Sequence, residues 1–183
     1  PISSDLDQMR PTPLGNLVEA VVRNDSKGYP DTVLFEVGPG FKNPSPNGQY
    51  LIAAGVRAGK NAPRHWSSAE SNRAVDAFDA KADLIAALNA CGFEADKAPV
   101  TRDAPDYFHP GQSGTLRLGK NILGHFGMIH PYVLEELGAD FPVAAFELYP
   151  ENIPEPKKKT ASRPKLELSD LQPVKRDFAF IVA

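Results

Sequence analysis

Between Tyr107 and Pro131 the chain carries two His-Pro pairs and five glycines within 25 residues, together with three of its four histidines. Regular structure tolerates that mixture poorly, because proline removes a backbone donor and glycine loses the most entropy on ordering. The stretch must therefore build something tight. Proline presets φ and glycine supplies positive φ, so His109-Pro110-Gly111 reads as a turn. Gly114–Leu118 alternates as a strand, Gly119-Lys120-Asn121 closes a bend, and Ile122–Ile129 alternates again as the second strand of a hairpin. Pro131 then stands at the first turn of a helix that runs to Leu137 and stops at Gly138.

The remaining elements follow from periodicity. Leu14, Leu17, Val18, Val21 and Val22 recur at helical spacing and end near Asn24-Asp25 and Gly28. Thr32–Val37 reads as a buried strand bounded by Gly38-Pro39-Gly40, and Tyr50–Val56 as its antiparallel partner. Ala77–Ala90 is the clearest helix, capped by Asp76 or Asp79 and stopped by Gly92. Pro99-Val100-Thr101 adds a short strand and Val143–Leu148 a further one. The fold class expected is α+β, an antiparallel sheet flanked by helices.

After Pro150 the chain turns proline-rich and charged. Residues 1–150 are read as one core and 151–170 as a linker. Residues 171–183 are read as the start of a further unit. Within it Asp177–Val182 alternates Phe178, Phe180 and Val182, and that strand is expected to dock on its own core or on a neighbouring copy.

Composition excludes several classes. A hydrophobic fraction of 42% and a charged fraction of 23% are ordinary for a globular protein. No apolar run approaches the roughly 20 residues that span a bilayer, and no signal sequence opens the chain, so a cytoplasmic location is expected. A net charge of −3 speaks against an independent nucleic-acid footprint, and Lys157-Lys158-Lys159 reads as solvated linker. Cys91 stands alone, which excludes an internal disulfide, and is expected as a buried small hydrophobe.

The chemistry-bearing candidates each resolve toward structure. Gly55 to Asn61 lacks the glycine spacing of a phosphate loop and ends without a hydroxyl for magnesium, so Arg57 and Lys60 read as a charged strand end. His65, His109, His125 and His130 lack metal-ligand spacing, and His109 is expected to hydrogen-bond its own turn. Asp76, Asp79 and Asp83 share one helix face and could hold magnesium, but capping suits the first two better, with Lys81 and Lys97 as counter-charges. Ser113, His109 and Asp106 are formally a nucleophile set without geometric support. An autonomous hydrolase or transferase site at His109-Pro110-Gly111 is the alternative, and it requires a pocket with a carboxylate in reach of His109.

Five stretches together carry a resemblance. They are Pro1–Arg10, Leu34–Phe41 (LFEVGPGF), Val75–Leu84 (VDAFDAKADL), Tyr107–Pro131 with its two His-Pro pairs, and Leu171–Val182. In this order the chain resembles the catalytic-like core of the bacterial phenylalanyl-tRNA synthetase beta chain. The resemblance implies a class II synthetase-like sheet that is not itself catalytic. It also implies a heterotetramer in which an alpha chain uses ATP and magnesium to activate phenylalanine and charge tRNA(Phe). Further domains would lie upstream, and a ferredoxin-like anticodon-binding domain would begin at Leu171. Glu36 resembles a relic of the ATP-binding motif, yet Leu34 stands where its arginine belongs, and Val143–Pro154 supplies no second arginine. Pro11-Thr12-Pro13-Leu14 departs from the family's pattern at the start of the first helix. No catalytic, cofactor or metal residue is therefore assigned to this chain. Its expected partners are the alpha chain and, when isolated, further copies of itself.

Overall fold

The structure is a computed structural model, and it describes residues 7–62, 73–155, 174 and 176–181. The first helix, α1 (Leu14–Asp25), begins directly after Pro13, whose carbonyl accepts the Leu17 N–H. Proline is suited to this place because its missing donor would be unpaired there anyway. The strands β1 (Thr32–Phe41) and β2 (Gln49–Ala58) form a hairpin. After it comes α2 (Ala77–Ala90), at the bounds its periodicity predicts. Asp76 accepts from the Phe78 and Asp79 N–H groups while Asp79 accepts from the Asp76 N–H, a reciprocal capping box.

β3 (Val100–Thr101), β4 (Phe108–Leu118) and β5 (Asn121–Ile129) make an antiparallel meander, followed by α3 (Pro131–Glu136) and β6 (Val143–Leu148). Gly119, at φ 60°, turns β4 into β5. All six strands join in one sheet ordered β1-β2-β6-β5-β4-β3. The last strand thus lies in the middle, between β2 and β5.

Alternation distributes the core over both faces. On one face Val143 and Ala145 of β6 meet Leu14, Leu17, Val18 and Val21 of α1 and Leu134 of α3. On the other, Ala144 and Leu148 meet Ala80, Leu84 and Leu88 of α2. Burial on both sides explains why β6 reads as an almost unbroken apolar run.

Four expectations are corrected. β1 is an edge strand rather than a buried one, with Val33, Phe35 and Val37 exposed, and it continues through Gly38-Pro39-Gly40 because an edge tolerates a missing donor. His109-Pro110-Gly111 lies inside β4 and not in a turn before it. There the pairing steps from Phe108 opposite Ile129 to Ser113 opposite Gly127, so residues 109–112 bulge outward. Cys91, at the C-terminal cap of α2, is exposed. Phe178, Phe180 and Ile181 are exposed and in no strand, so that segment is not docked on its own core. His65, Lys157-Lys158-Lys159 and residues 156–170 of the expected linker lie outside the described residues.

Candidate functional site

One row of directly paired residues crosses the whole sheet: Glu36, Ala54, Glu147, His125, Thr115 and Thr101, one from each strand. Direct partners in antiparallel strands project to the same face, here the α1 face. Of these, Glu147 is 0% exposed, Thr115 is 0% and His125 is 5%. A carboxyl group so deeply buried requires partners.

Glu147 obtains three. Thr12 donates its hydroxyl to Oε1, Tyr107 donates to Oε2 at 2.7 Å, and Tyr149 donates to Oε2 at 3.1 Å. Burial raises the Glu147 pKa, and the three hydroxyls counter that rise. The same burial, then the nearby carboxylate, raises the Tyr107 and Tyr149 phenols. His125 Nδ1 bonds the Thr115 hydroxyl at 2.8 Å, and burial holds the imidazole down to about 4. Rings continue the row, with Tyr50 6.0 Å from Tyr149 and Tyr149 edge-on to His125 at 5.6 Å.

A strap formed by Arg10, Pro11 and Thr12 lies over the β1 side of this face. The Phe41 N–H donates to the Arg10 carbonyl, the Tyr50 hydroxyl to the Pro11 carbonyl, and the Arg10 guanidinium to both Glu36 oxygens. At the other end, Arg117 pairs with Asp103 and donates to the Thr101 hydroxyl. Beside the strap an open cavity of about 260 Å³ is lined by Tyr50, His125, Tyr149, Lys42 and Glu151, among others. Both guanidinium groups along the row are held by carboxylates. Lys42, which lines the same cavity, has its ammonium 5.3 Å from the Tyr50 ring centroid and no carboxylate partner among the described residues. The face is a self-satisfied polar network.

Of the residues singled out in the sequence, Glu36 and His125 stand in the row and the others lie elsewhere. Asp76 and Asp79 cap α2 as expected, but their counter-charges are Arg73 for both and Arg57 for Asp83, not Lys81, which sits over the Phe126 ring. Arg57 is thereby a strand-end residue tied to α2. Lys60 donates its backbone N–H to Asp31. His109 does hold its own loop, with Nδ1 accepting the Gly111 N–H at 3.1 Å. Ser113 donates to the His109 carbonyl rather than to the imidazole, so the nucleophile set does not converge. A groove of about 390 Å³ contains both His109 and Asp140, yet no hydrogen bond joins them. The buried row itself was missed, although a glutamate inside the apolar run Val143–Leu148 is the signal that could have found it.

Residues 1–149 match the family described as the phenylalanyl tRNA synthetase beta chain CLM domain. The chain belongs to that family. It is 53% identical to the phenylalanine–tRNA ligase beta subunit of Paramagnetospirillum magneticum, over 98% of this chain and 22% of the relative. It is 51% identical to that of Rhodospirillum rubrum, over 100% of this chain and 23% of the relative. The chain thus spans under a quarter of the length of these relatives. In fold, this CLM-family chain is similar to the pyrrolysyl-tRNA synthetase of Desulfitobacterium hafniense. The TM-score is 0.54 at 12% identity, over 79% of this chain and 48% of that one. A second structure of that synthetase gives 0.55 at 13%. At such identity the likeness concerns the fold alone, an antiparallel six-stranded sheet with helices. Among the described residues no helix is long and apolar enough to cross a membrane.

Proposed function

We propose that this chain is the non-catalytic core of a phenylalanine–tRNA ligase beta subunit, supporting an alpha subunit that charges tRNA(Phe) with phenylalanine in the cytoplasm. ATP and magnesium belong to the alpha subunit in this reading. Residues 1–150 form the core, 151–170 a linker, and 171–183 the start of a ferredoxin-like anticodon-binding domain. The observation that carries the non-catalytic assignment is that both arginines along the sheet's polar face are engaged by the chain's own carboxylates. Every carboxylate along the row is met by a hydroxyl or a guanidinium of the same chain.

A supporting role needs a surface, and β1 offers one. Val33, Phe35 and Val37 project from an edge strand, above an apolar groove of about 330 Å³ that also contains Ala53, Gly55 and Phe146. Exposed apolar patches of this kind mark interaction sites. Without a partner the same stripe drives self-association. Co-expression with a phenylalanine–tRNA ligase alpha chain should yield a co-purifying complex, while the chain alone should form no phenylalanyl-adenylate. Adenylate formed by the purified chain would overturn the reading.

A further inference from the structure

The two His-Pro pairs, which the supporting role leaves unused, share one local geometry. In each, the imidazole Nδ1 accepts the main-chain N–H two residues on: Gly111 to His109 at 3.1 Å and Tyr132 to His130 at 3.2 Å. A ring nitrogen that accepts a hydrogen bond carries no proton, so the neutral ring carries it on Nε2. No group of three metal-ligating side chains forms around them among the described residues. The long bulge in β4 and the entry to α3 bring the two rings together, stacked with centroids 6.4 Å apart and planes 29° apart. Neither Nε2 has a hydrogen-bond partner among the described residues, and both histidines are half-exposed. The result is two adjacent N–H donors fixed by the backbone and open to a visitor.

His109 lines the groove of about 390 Å³, whose apolar walls include Met128, Ile129, Leu134 and Phe141, and His130 stands in the chain between two further lining residues, Ile129 and Pro131. One wall residue is the exposed carboxylate Asp140, which has no ion-pair partner among the described residues. We propose that the His109–His130 pair and this groove bind a short basic and apolar peptide segment of a partner polypeptide. The Nε2–H groups donate to main-chain carbonyls of the segment, an apolar side chain enters the groove, and a basic side chain meets Asp140. An acidic or phosphorylated ligand is disfavoured, because Asp140 would repel it. This inference does not depend on the supporting role proposed above.

The test uses the 183-residue chain, labelled with 15N, and the probe peptide acetyl-leucyl-arginine amide. Titration should move the imidazole Nε2 signals of His109 and His130 saturably. Asparagine places an amide oxygen near the Nδ1 position and so keeps the loop's acceptor while removing Nε2–H. The double variant His109→Asn with His130→Asn should keep its fold by amide spectra and weaken binding about tenfold or more. His109→Gln, which restores a donor near Nε2, should bind more tightly than His109→Asn. No saturable shift at about 10 mM peptide would overturn the proposal. Equal binding of acetyl-leucyl-glutamate amide, or unchanged binding by the asparagine variants, would do so as well.

Discussion

At the scale of single residues, Glu147 and His125 set opposite acid responses although they are paired across β5 and β6. His125 keeps its proton off until about pH 4 in the folded chain, against an ordinary value of 6.5. The unfolded chain therefore binds more protons in that window. The stability His125 contributes is intact above pH 6.5 and is lost as pH falls toward 4. Glu147 works the other way, since its raised pKa makes folding less favourable as pH rises past its ordinary value of 4.5. His125→Gln should flatten the loss of urea resistance between pH 6.5 and 4, measured as unfolding midpoints. Tyr107→Phe removes one hydroxyl from a buried carboxyl group and should cost ~1.5–3 kcal/mol. The exposed Tyr29→Phe should cost nothing measurable in the same assay. Little of this was legible beforehand beyond the glutamate in an apolar strand with Tyr149 two residues on, because Thr12 and Tyr107 reach Glu147 from distant stretches and local spacing carries no trace of their meeting.

At the scale of elements, the helices were the most legible. The α2 boundaries, its Asp76 cap and the run of β6 follow from periodicity and capping chemistry, which are local. Replacing Asp76 with alanine should lower stability by about 1 kcal/mol in chemical denaturation. The bulged strand β4 was misread because proline and glycine signal a turn and a bulge alike. What closes the bulge is Gly127 on the partner strand, at φ 153°, where an added Cβ would lie 2.5 Å from the Gln112 carbonyl oxygen. Gly127→Ala should therefore cost ~2–4 kcal/mol. Gly111→Ala, whose nearest neighbours would stand at 3.5 and 3.7 Å, should cost under ~1 kcal/mol. Equal thermal shifts for the two would contradict this account of the bulge. The length of β1 was hidden for a related reason, since only its place at the edge, a property of the assembled sheet, allows Pro39 to stay in the strand.

At the scale of the whole molecule, the two faces of the sheet divide the work. One is closed by α1 and the strap over the polar row, while the other leaves β1 bare beyond α2. Phe35 is 79% exposed, so Phe35→Lys should leave the unfolding midpoint unchanged yet reduce concentration-dependent association in sedimentation velocity. The strand order has a further consequence for a chain made from one end. The β1–β2 hairpin and the β3–β5 meander share no edge until β6 arrives between them. On the ribosome, both half-sheets must wait with the inner edges of β2 and β5 open until Leu148 has cleared the exit tunnel. Nascent chains arrested shortly before that residue should be the ones that chaperones hold longest, and release should follow the keystone strand.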